Sequence, residues 1–173
     1  ETWYLIQYCH CMFRFFNLKR IYLDYAAATP LSAVARNAMK PYLKNHLGNP
    51  SAIHEEGRMA RAAVEAARLS VARTLGVRAD NVTFTSGGTE ANNLALAGFV
   101  SALQNGGIEA SDIEIVTTKV EHPSIGNTLA VLEEQGCVVR YVPVEEDGRI
   151  SVSALEAVLT ERTKLVTVAY ANS

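Results

Sequence analysis

The second half of the chain alternates short apolar runs with helical patterns, and this alternation limits the possible folds more than any other feature. The predicted elements follow one another at residues 82–85 (strand), 91–103 (helix), 113–117 (strand), 124–135 (helix), 138–142 (strand), 153–159 (helix) and 165–169 (strand). Ser153 and Glu156 predict a capping box for the last helix. Parallel strands joined by helices form right-handed crossovers, so the sequence predicts an α/β fold: a mainly parallel sheet with helices on both faces.

The part of the chain before these elements predicts a short strand or extended segment at residues 21–25 and helices at residues 32–46 and 60–75. Residues 1–17 are rich in aromatic side chains and show neither the helical nor the strand period. We therefore expect residues 1–20 to be an extension and residues 21–173 to be the domain.

Composition excludes several classes of function. Lys and Arg number 16 and Asp and Glu number 18, so the net charge of -2 offers no excess of positive charge for nucleic acid or an anionic membrane. The apolar run of the extension is interrupted well short of the roughly 20 residues of a membrane span. The three cysteines are an odd count, which favours a reducing compartment, the cytoplasm. Cys9, His10 and Cys11 lack a second pair of ligands, so no metal site is expected.

The turn SGGTE stands between the predicted strand at residues 82–85 and the helix that follows it. A turn at the carboxyl end of a parallel strand that opens a helix presents unpaired N–H groups and the positive end of the helix dipole. Its glycines allow close approach to a phosphate, and the hydroxyls of Ser86 and Thr89 can add hydrogen bonds. The pattern is neither a dinucleotide fingerprint nor a P-loop. Two interpretations remain open at this point, a phosphate site and a tight turn with Thr89 as helix cap.

The segment EHPS follows the next predicted strand, so we expect His122 at the same edge of the sheet as Thr89. An imidazole at that edge can stack on a flat heteroaromatic ring whose phosphate is held by the glycine turn. Asn172 and Ser173 follow the last predicted strand at the same edge and can donate hydrogen bonds to a ring substituent. A lone histidine in a loop also commonly has only a local hydrogen-bonding role, and this alternative stays open.

Five short motifs stand in order along residues 21–173. They are YLDYAAATP, GNPSAIH, FTSGGTEANN, EHPS and YANS. Together they resemble the motifs of cysteine desulfurases of the NifS/IscS type. Those enzymes are class V aminotransferases with the fold type I architecture of pyridoxal phosphate enzymes. The resemblance implies that the chain forms part of the large domain of that fold.

The resemblance also implies a cofactor site and a reaction. It places Gly88 and Thr89 at the phosphate of pyridoxal 5'-phosphate, and His122 against the pyridine ring as a cofactor-binding and catalytic residue. Asn172 or Ser173 corresponds to the family's asparagine near the ring hydroxyl. The implied reaction removes sulfur from L-cysteine and gives alanine and an enzyme persulfide, for iron–sulfur cluster assembly or thio-modification. By analogy, the enzyme is a homodimer with an iron–sulfur scaffold or another sulfur-acceptor protein as its partner.

The sequence departs from the family pattern in its reactive groups. The family uses a Schiff-base lysine in a Ser-x-His-Lys-type segment and a nucleophilic cysteine on a mobile loop, and neither segment occurs in these 173 residues. Lys119 and Lys164 lie outside any such segment, and Cys137 begins a predicted strand as a buried apolar residue. We therefore expect an N-terminal portion that is inactive by itself. Two alternatives remain: another class V enzyme, such as a selenocysteine lyase or an aminotransferase, and a non-catalytic phosphate-binding α/β module.

Overall fold

The computed structural model describes residues 21–25, 27–44 and 47–171. The helices and strands within them are α1 (Ala33–Lys44), α2 (Glu55–Leu75), α3 (Gly88–Asn105), β1 (Glu114–Thr118), α4 (Pro123–Glu134), β2 (Val138–Val142), α5 (Val152–Val158) and β3 (Thr163–Val166). The chain divides after Val64 into two compact units. The extension expected at residues 1–20 lies outside the described residues.

In the first unit, residues 21–25 are exposed and form no strand, so the strand interpretation of this segment is wrong. The Tyr22 hydroxyl lies 2.7 and 2.9 Å from the carbonyl oxygens of Asp24 and Ala28. The Asp24 carboxylate in turn accepts a hydrogen bond from the Ala27 N–H at 3.3 Å. These local bonds from side chains to the backbone replace the ladder bonds that a strand would make.

Both helices predicted in the first part of the chain are confirmed. The helix predicted at residues 60–75 starts earlier, at the acidic first turn of Glu55 and Glu56, because helix dipoles favour carboxylates at their N-termini. It ends before Gly76, whose φ of 67° is the left-handed conformation that closes many helices. The helix predicted at residues 32–46 is described as far as Lys44.

The second unit is built on a parallel sheet with the strand order β2–β1–β3. In the central strand, Ile115 pairs with Val139 on one side and with Leu165 on the other. The chain passes from β1 to β2 and then back across β1 to β3, so right-handed crossovers place α4 and α5 on opposite faces. The predicted α/β class, with a parallel sheet and helices on both faces, is confirmed.

The hydrophobic core lies where α3 and α4 pack on β1. Its buried members are Leu96, Val100, Ile113, Ile115, Ile125, Leu129, Leu132 and Cys137. Full burial of an aliphatic side chain of this size stabilises a fold by about 1.5–3 kcal/mol. Burial raises the pKa of the Cys137 thiol, so this cysteine is an apolar core residue, as expected from the sequence.

Residues 82–85 do not form the predicted strand. They lead into α3 without pairing with any strand of the described residues. Instead, the guanidinium of Arg68 donates to the Val82 carbonyl and lies 5.1 Å from the centroid of the Phe84 ring. An apolar segment becomes a strand only where a neighbouring backbone offers hydrogen-bonding partners.

The predicted cap of α5 is also wrong by two residues. Ser151 is the N-cap, with extended φ and ψ of -82° and 149°, and its hydroxyl accepts from the Ala154 N–H at 3.2 Å. Ser153 lies inside the helix. An N-cap residue needs a non-helical backbone, and only the residue that has it can reach the N–H groups of the first turn.

Candidate functional site

The carboxyl ends of β1 and β3 border a cleft of about 460 Å³. The loop after β1 lines it with Glu121, and the segment after β3 lines it with Ala169 and Ala171. Open α/β sheets bind their ligands at this end of the strands. The predicted site residues Asn172 and Ser173 come directly after Ala171 in the chain and lie outside the described residues.

Glu121 joins the two loops that border this cleft. Its Oε1 accepts hydrogen bonds from the Thr118 hydroxyl at 2.7 Å and from the Ala169 N–H at 3.0 Å. Thr118 ends β1 and Ala169 follows β3, so one carboxylate oxygen fixes the separation of the two loops. Sequence reasoning missed Glu121. The available signal was its place directly after a buried strand and before His122.

The SGGTE turn forms the start of α3, which begins at Gly88, three residues earlier than predicted. Glu90 closes the turn by accepting from the Ser86 hydroxyl at 2.5 Å and from the Ser86 N–H at 2.6 Å. The hydrogen bond from the Ser86 hydroxyl, and to a smaller extent that from the Ser86 N–H, lowers the pKa of Glu90. The Ser86 hydroxyl, expected as a donor to an anion, is therefore already engaged inside the turn.

The next residues of the turn form an open cradle. A Cβ added to Gly87 or Gly88 would meet no atom within 4 Å. The N-cap of α3 is Gly87, so the interpretation of Thr89 as the helix cap is wrong. The Thr89 hydroxyl donates to no described residue. Open space, the N–H groups of a helix first turn and an unengaged hydroxyl together fit a phosphate group.

His122 is the N-cap of α4 and is exposed. Its Nδ1 accepts a hydrogen bond from the Ser124 N–H at 3.1 Å and lies 2.8 Å from Ser124 Oγ. One edge of the imidazole thus has a local hydrogen-bonding role. The ring stays accessible to a ligand, so the two interpretations that the sequence left open are compatible.

A hydrogen bond between α3 and α4 brings the predicted site residues together. Near the start of α3, Asn92 Nδ2 donates to Ser124 Oγ in the first turn of α4 at 2.8 Å. The glycine turn with Thr89 precedes Asn92 by a few residues, and His122 directly precedes α4. The two helix N-termini therefore lie side by side, with the phosphate cradle at one and the imidazole at the other.

The chain also matches proteins of a known family. Residues 21–173 match the protein family described as Aminotransferase class-V. The chain belongs to the class-V aminotransferase family. This confirms the family that the five sequence motifs predict.

Curated relatives of this class-V chain include two cysteine desulfurases. Cysteine desulfurase IscS of Dictyoglomus turgidum is 41% identical over 155 residues, which are 90% of this chain and 38% of that protein. Putative cysteine desulfurase IscS 1 of Bacillus subtilis is 39% identical over 156 residues, 90% of this chain and 40% of that protein. The class-V chain therefore spans about two-fifths of the length of these relatives.

Solved structures agree with this assignment. A NIFS-like protein superposes with a TM-score of 0.77 at 32% identity, over 86% of this chain and 40% of the other. A structure described as SspA in complex with cysteine superposes with a TM-score of 0.76 at 34% identity, over 86% and 42% of the two chains. The fold is thus part of a class-V α/β domain, as predicted.

Metal and membrane interpretations find no support in the described part of the chain. There, no group of three or more His, Cys, Asp or Glu side chains is placed to hold a metal ion. No helix among residues 21–25, 27–44 and 47–171 is long and apolar enough to cross a membrane. Cys9, His10 and Cys11 lie outside the described residues.

Proposed function

We propose that this class-V chain forms the phosphate- and ring-binding part of the cofactor site of a pyridoxal 5'-phosphate-dependent cysteine desulfurase. The observation that carries the proposal is the Asn92–Ser124 hydrogen bond, because it sets the glycine turn of α3 beside His122. The open cradle at Gly88 and the unengaged hydroxyl of Thr89 fit the phosphate of the cofactor.

In this proposal each part of the site has one task. Gly88 and Thr89 hold the phosphate at the N-terminus of α3. His122 lies against the pyridine ring as the catalytic residue of this part of the chain, and Asn172 or Ser173 binds the ring hydroxyl. When bound, pyridoxal phosphate supplies an electron sink for carbanion chemistry on an amino acid.

The proposed overall reaction transfers the sulfur of L-cysteine to a thiol. L-Cysteine and the thiol become alanine and a persulfide, so atoms and electrons balance without a further oxidant or reductant. The support is the names of the two curated relatives described above, Cysteine desulfurase IscS and Putative cysteine desulfurase IscS 1. We propose the remaining features on the same ground: a homodimer in the cytoplasm that passes sulfur to an iron–sulfur scaffold or another acceptor protein.

Cofactor binding tests the roles of the proposed residues. The chain is titrated with pyridoxal phosphate, and binding is followed by absorbance and fluorescence. Thr89→Val is expected to weaken binding about tenfold, because it removes a hydrogen bond to a charged group. His122→Asn keeps a favoured N-cap residue but removes the ring, so we expect a loss of about fivefold.

The matched control is Thr128→Val, the same chemical change inside α4, where the hydroxyl contacts Asn93 Oδ1 and the Ser124 carbonyl rather than Thr89 or His122. Its affinity should equal that of the unsubstituted chain. Equal affinities for Thr89→Val, His122→Asn and the unsubstituted chain would remove the proposed site.

The activity is tested in a chimera in which residues 21–173 replace the matching segment of the Dictyoglomus turgidum desulfurase. Alanine and persulfide from L-cysteine are the expected products, whereas the 173-residue chain alone should give none, because it contains no Ser-x-His-Lys segment. Alanine from L-selenocysteine only, or amino-group transfer without sulfur release, would instead identify another class V enzyme. A chimera that binds the cofactor and converts no amino acid would indicate a non-catalytic phosphate-binding module.

A further inference from the structure

We infer that Asn92 and Ser124 are positioning residues that hold the imidazole of His122 in the tautomer with its proton on Nε2. The inference rests on the proposed function, in which the ring of His122 lies against the cofactor. It adds the tautomer of that ring and the two residues that determine it.

The tautomer follows from the donors around Nδ1. The Ser124 backbone N–H lies 3.1 Å from this nitrogen and can only donate, so Nδ1 accepts and carries no proton. The single proton of a neutral imidazole is then on Nε2. Ser124 Oγ lies 2.8 Å from the same Nδ1, and since Nδ1 accepts, the hydroxyl donates its proton there as well.

Asn92 fixes the direction of the Ser124 hydroxyl. The Asn92 amide nitrogen lies 2.8 Å from Ser124 Oγ and can only donate, so Oγ accepts from Asn92, and the hydroxyl proton remains available for the acceptor Nδ1 of His122. The donors therefore run in one direction from Asn92 through Ser124 to His122. Ser124 is 7% exposed, so water has little access to replace either bond.

The arrangement has a chemical consequence at the outer edge of the ring. A proton on Nδ1 would face the Ser124 N–H, which places donor against donor, and would remove the acceptor of the Ser124 hydroxyl proton. Nδ1 is therefore held without a proton, and the Nε2–H donor contacts no described residue. As positioned, His122 offers a proton at Nε2. It can accept one there only if its bonds to Ser124 break.

Nitrogen NMR of the chain in the absence of cofactor tests this inference. The chain carries ¹⁵N-labelled histidine, and long-range proton–nitrogen spectra show which ring nitrogen of each histidine bears the proton. His122→Gln assigns the signals of His122 by subtraction. We expect an unprotonated Nδ1 and a protonated Nε2 in the unsubstituted chain.

Two substitutions test the residues that set the tautomer. Ser124→Ala removes one of the two donors to Nδ1, and we expect the ratio of the Nε2–H to the Nδ1–H form to fall about fivefold, the factor that matches one hydrogen bond of about 1 kcal/mol. Asn92→Asp replaces a donor by an acceptor that captures the Ser124 proton, so the ratio should fall at least as far.

Thr128→Val is the matched control for this measurement also. The Thr128 hydroxyl lies 2.9 Å from Asn93 Oδ1 and 2.8 Å from the carbonyl oxygen of Ser124, so its loss removes another hydroxyl contact between α3 and α4 and leaves the side chains of Ser124 and His122 unchanged. The His122 spectrum should not change. Equal changes in Ser124→Ala and Thr128→Val would overturn the positioning role and leave only a general effect of helix packing.

The spectrum of the unsubstituted chain is decisive even if a variant does not fold. A proton on Nδ1 of His122, alone or together with one on Nε2, overturns the inference. Because no cofactor is present, this result is independent of the binding titration. A chain that fails to bind pyridoxal phosphate but shows the Nε2–H form would refute the proposed function and leave the tautomer established.

Discussion

The two ends of β1 each place a glutamate among hydroxyl groups, and the two glutamates have different surroundings. At the amino end, Glu114 is 1% exposed and accepts from the Thr160 and Thr163 hydroxyls at 2.8 and 2.7 Å, and it pairs with Arg140. At the carboxyl end, Glu121 is half-buried at the edge of an open cleft. The polar groups of the amino end are satisfied by one another.

The carboxyl end leaves its donors available. The Nε2–H of His122 and the hydroxyl of Thr89 contact no described residue, and the cradle at Gly88 is open. Polar groups that the fold does not satisfy retain their capacity to bind a ligand. One end of the sheet therefore stabilises the domain, and the other end has polar groups that are available to a ligand.

The largest expected effect comes from the amino end. Glu114→Gln removes the charge that three donors share, and we expect the free energy of unfolding to fall by about 3 kcal/mol. Urea denaturation measures this loss. Glu133→Gln, the same change at an exposed position of α4, should shift stability by less than about 0.5 kcal/mol. A loss as small as that of the control would mean that the amino end is not the stabilising end.

Acid should weaken the hydrogen-bonded group of side chains around Glu114. Burial alone raises the pKa of Glu114, but the hydrogen bonds from Thr163, Arg140 and Thr160 outweigh it and lower the pKa from 4.5 to about 2. A carboxylate with a lowered pKa in the folded state stabilises above the unfolded pKa of 4.5, and this contribution disappears as the pH falls through about 2. The full contribution of the Glu114 carboxylate to the free energy of unfolding is about 3 kcal/mol. Between pH 6 and pH 2, the free energy of unfolding of the unsubstituted chain should therefore fall more steeply than that of Glu114→Gln.

A smaller effect is expected at the carboxyl end. Glu121→Ala removes the acceptor of both Thr118 and Ala169, and we expect a loss of about 2 kcal/mol, since hydrogen bonds to charged groups contribute about 1.5–3 kcal/mol each. Hydrogen exchange at the Ala169 N–H should become faster. Glu121→Gln keeps a carbonyl oxygen and should restore most of the protection. Unchanged exchange in the alanine variant would show that Glu121 does not hold the two loops together.

The smallest expected effect is a gain in stability rather than a loss. Thr117 Oγ1 is buried and finds no hydrogen-bond partner among the described residues. Thr117→Val removes this unsatisfied hydroxyl at nearly constant volume, so thermal unfolding should show a gain of up to about 1 kcal/mol. A clear destabilisation would mean that the hydroxyl has a partner, and the contrast between the two ends of β1 would then be weaker than we describe.

Some elements of the fold could be predicted because the information is local. The strand at Val138–Val142 is a run of mostly β-branched residues after Gly136, whose φ of 101° ends the preceding helix. Residues 82–85 have a similar pattern but form no strand among the described residues, because pairing depends on a distant partner. The cap of α5 was misplaced for a related reason: two serines of equal propensity compete, and backbone geometry decides between them.

The candidate site also contains residues that a local pattern predicts and contacts that it does not predict. Thr89 and His122 could be found from the order of strand, turn and helix, since parallel strands bring their carboxyl ends to one edge. The contacts of Asn92 with Ser124, and of Glu121 with Ala169, join residues 32 and 48 positions apart. Whether such side chains meet depends on how helices and loops pack, and no local pattern encodes that.

The Asn92–Ser124 hydrogen bond also bears on the entropy of ligand binding. It joins two helices that pack on a common core, so the spacing between the cradle at Gly88 and the ring of His122 is set before any ligand arrives. In the proposed site, a ligand with a phosphate and a flat ring at that spacing would bind with little loss of protein conformational entropy. A ligand with a shorter or longer link between those two groups forfeits one of the two contacts.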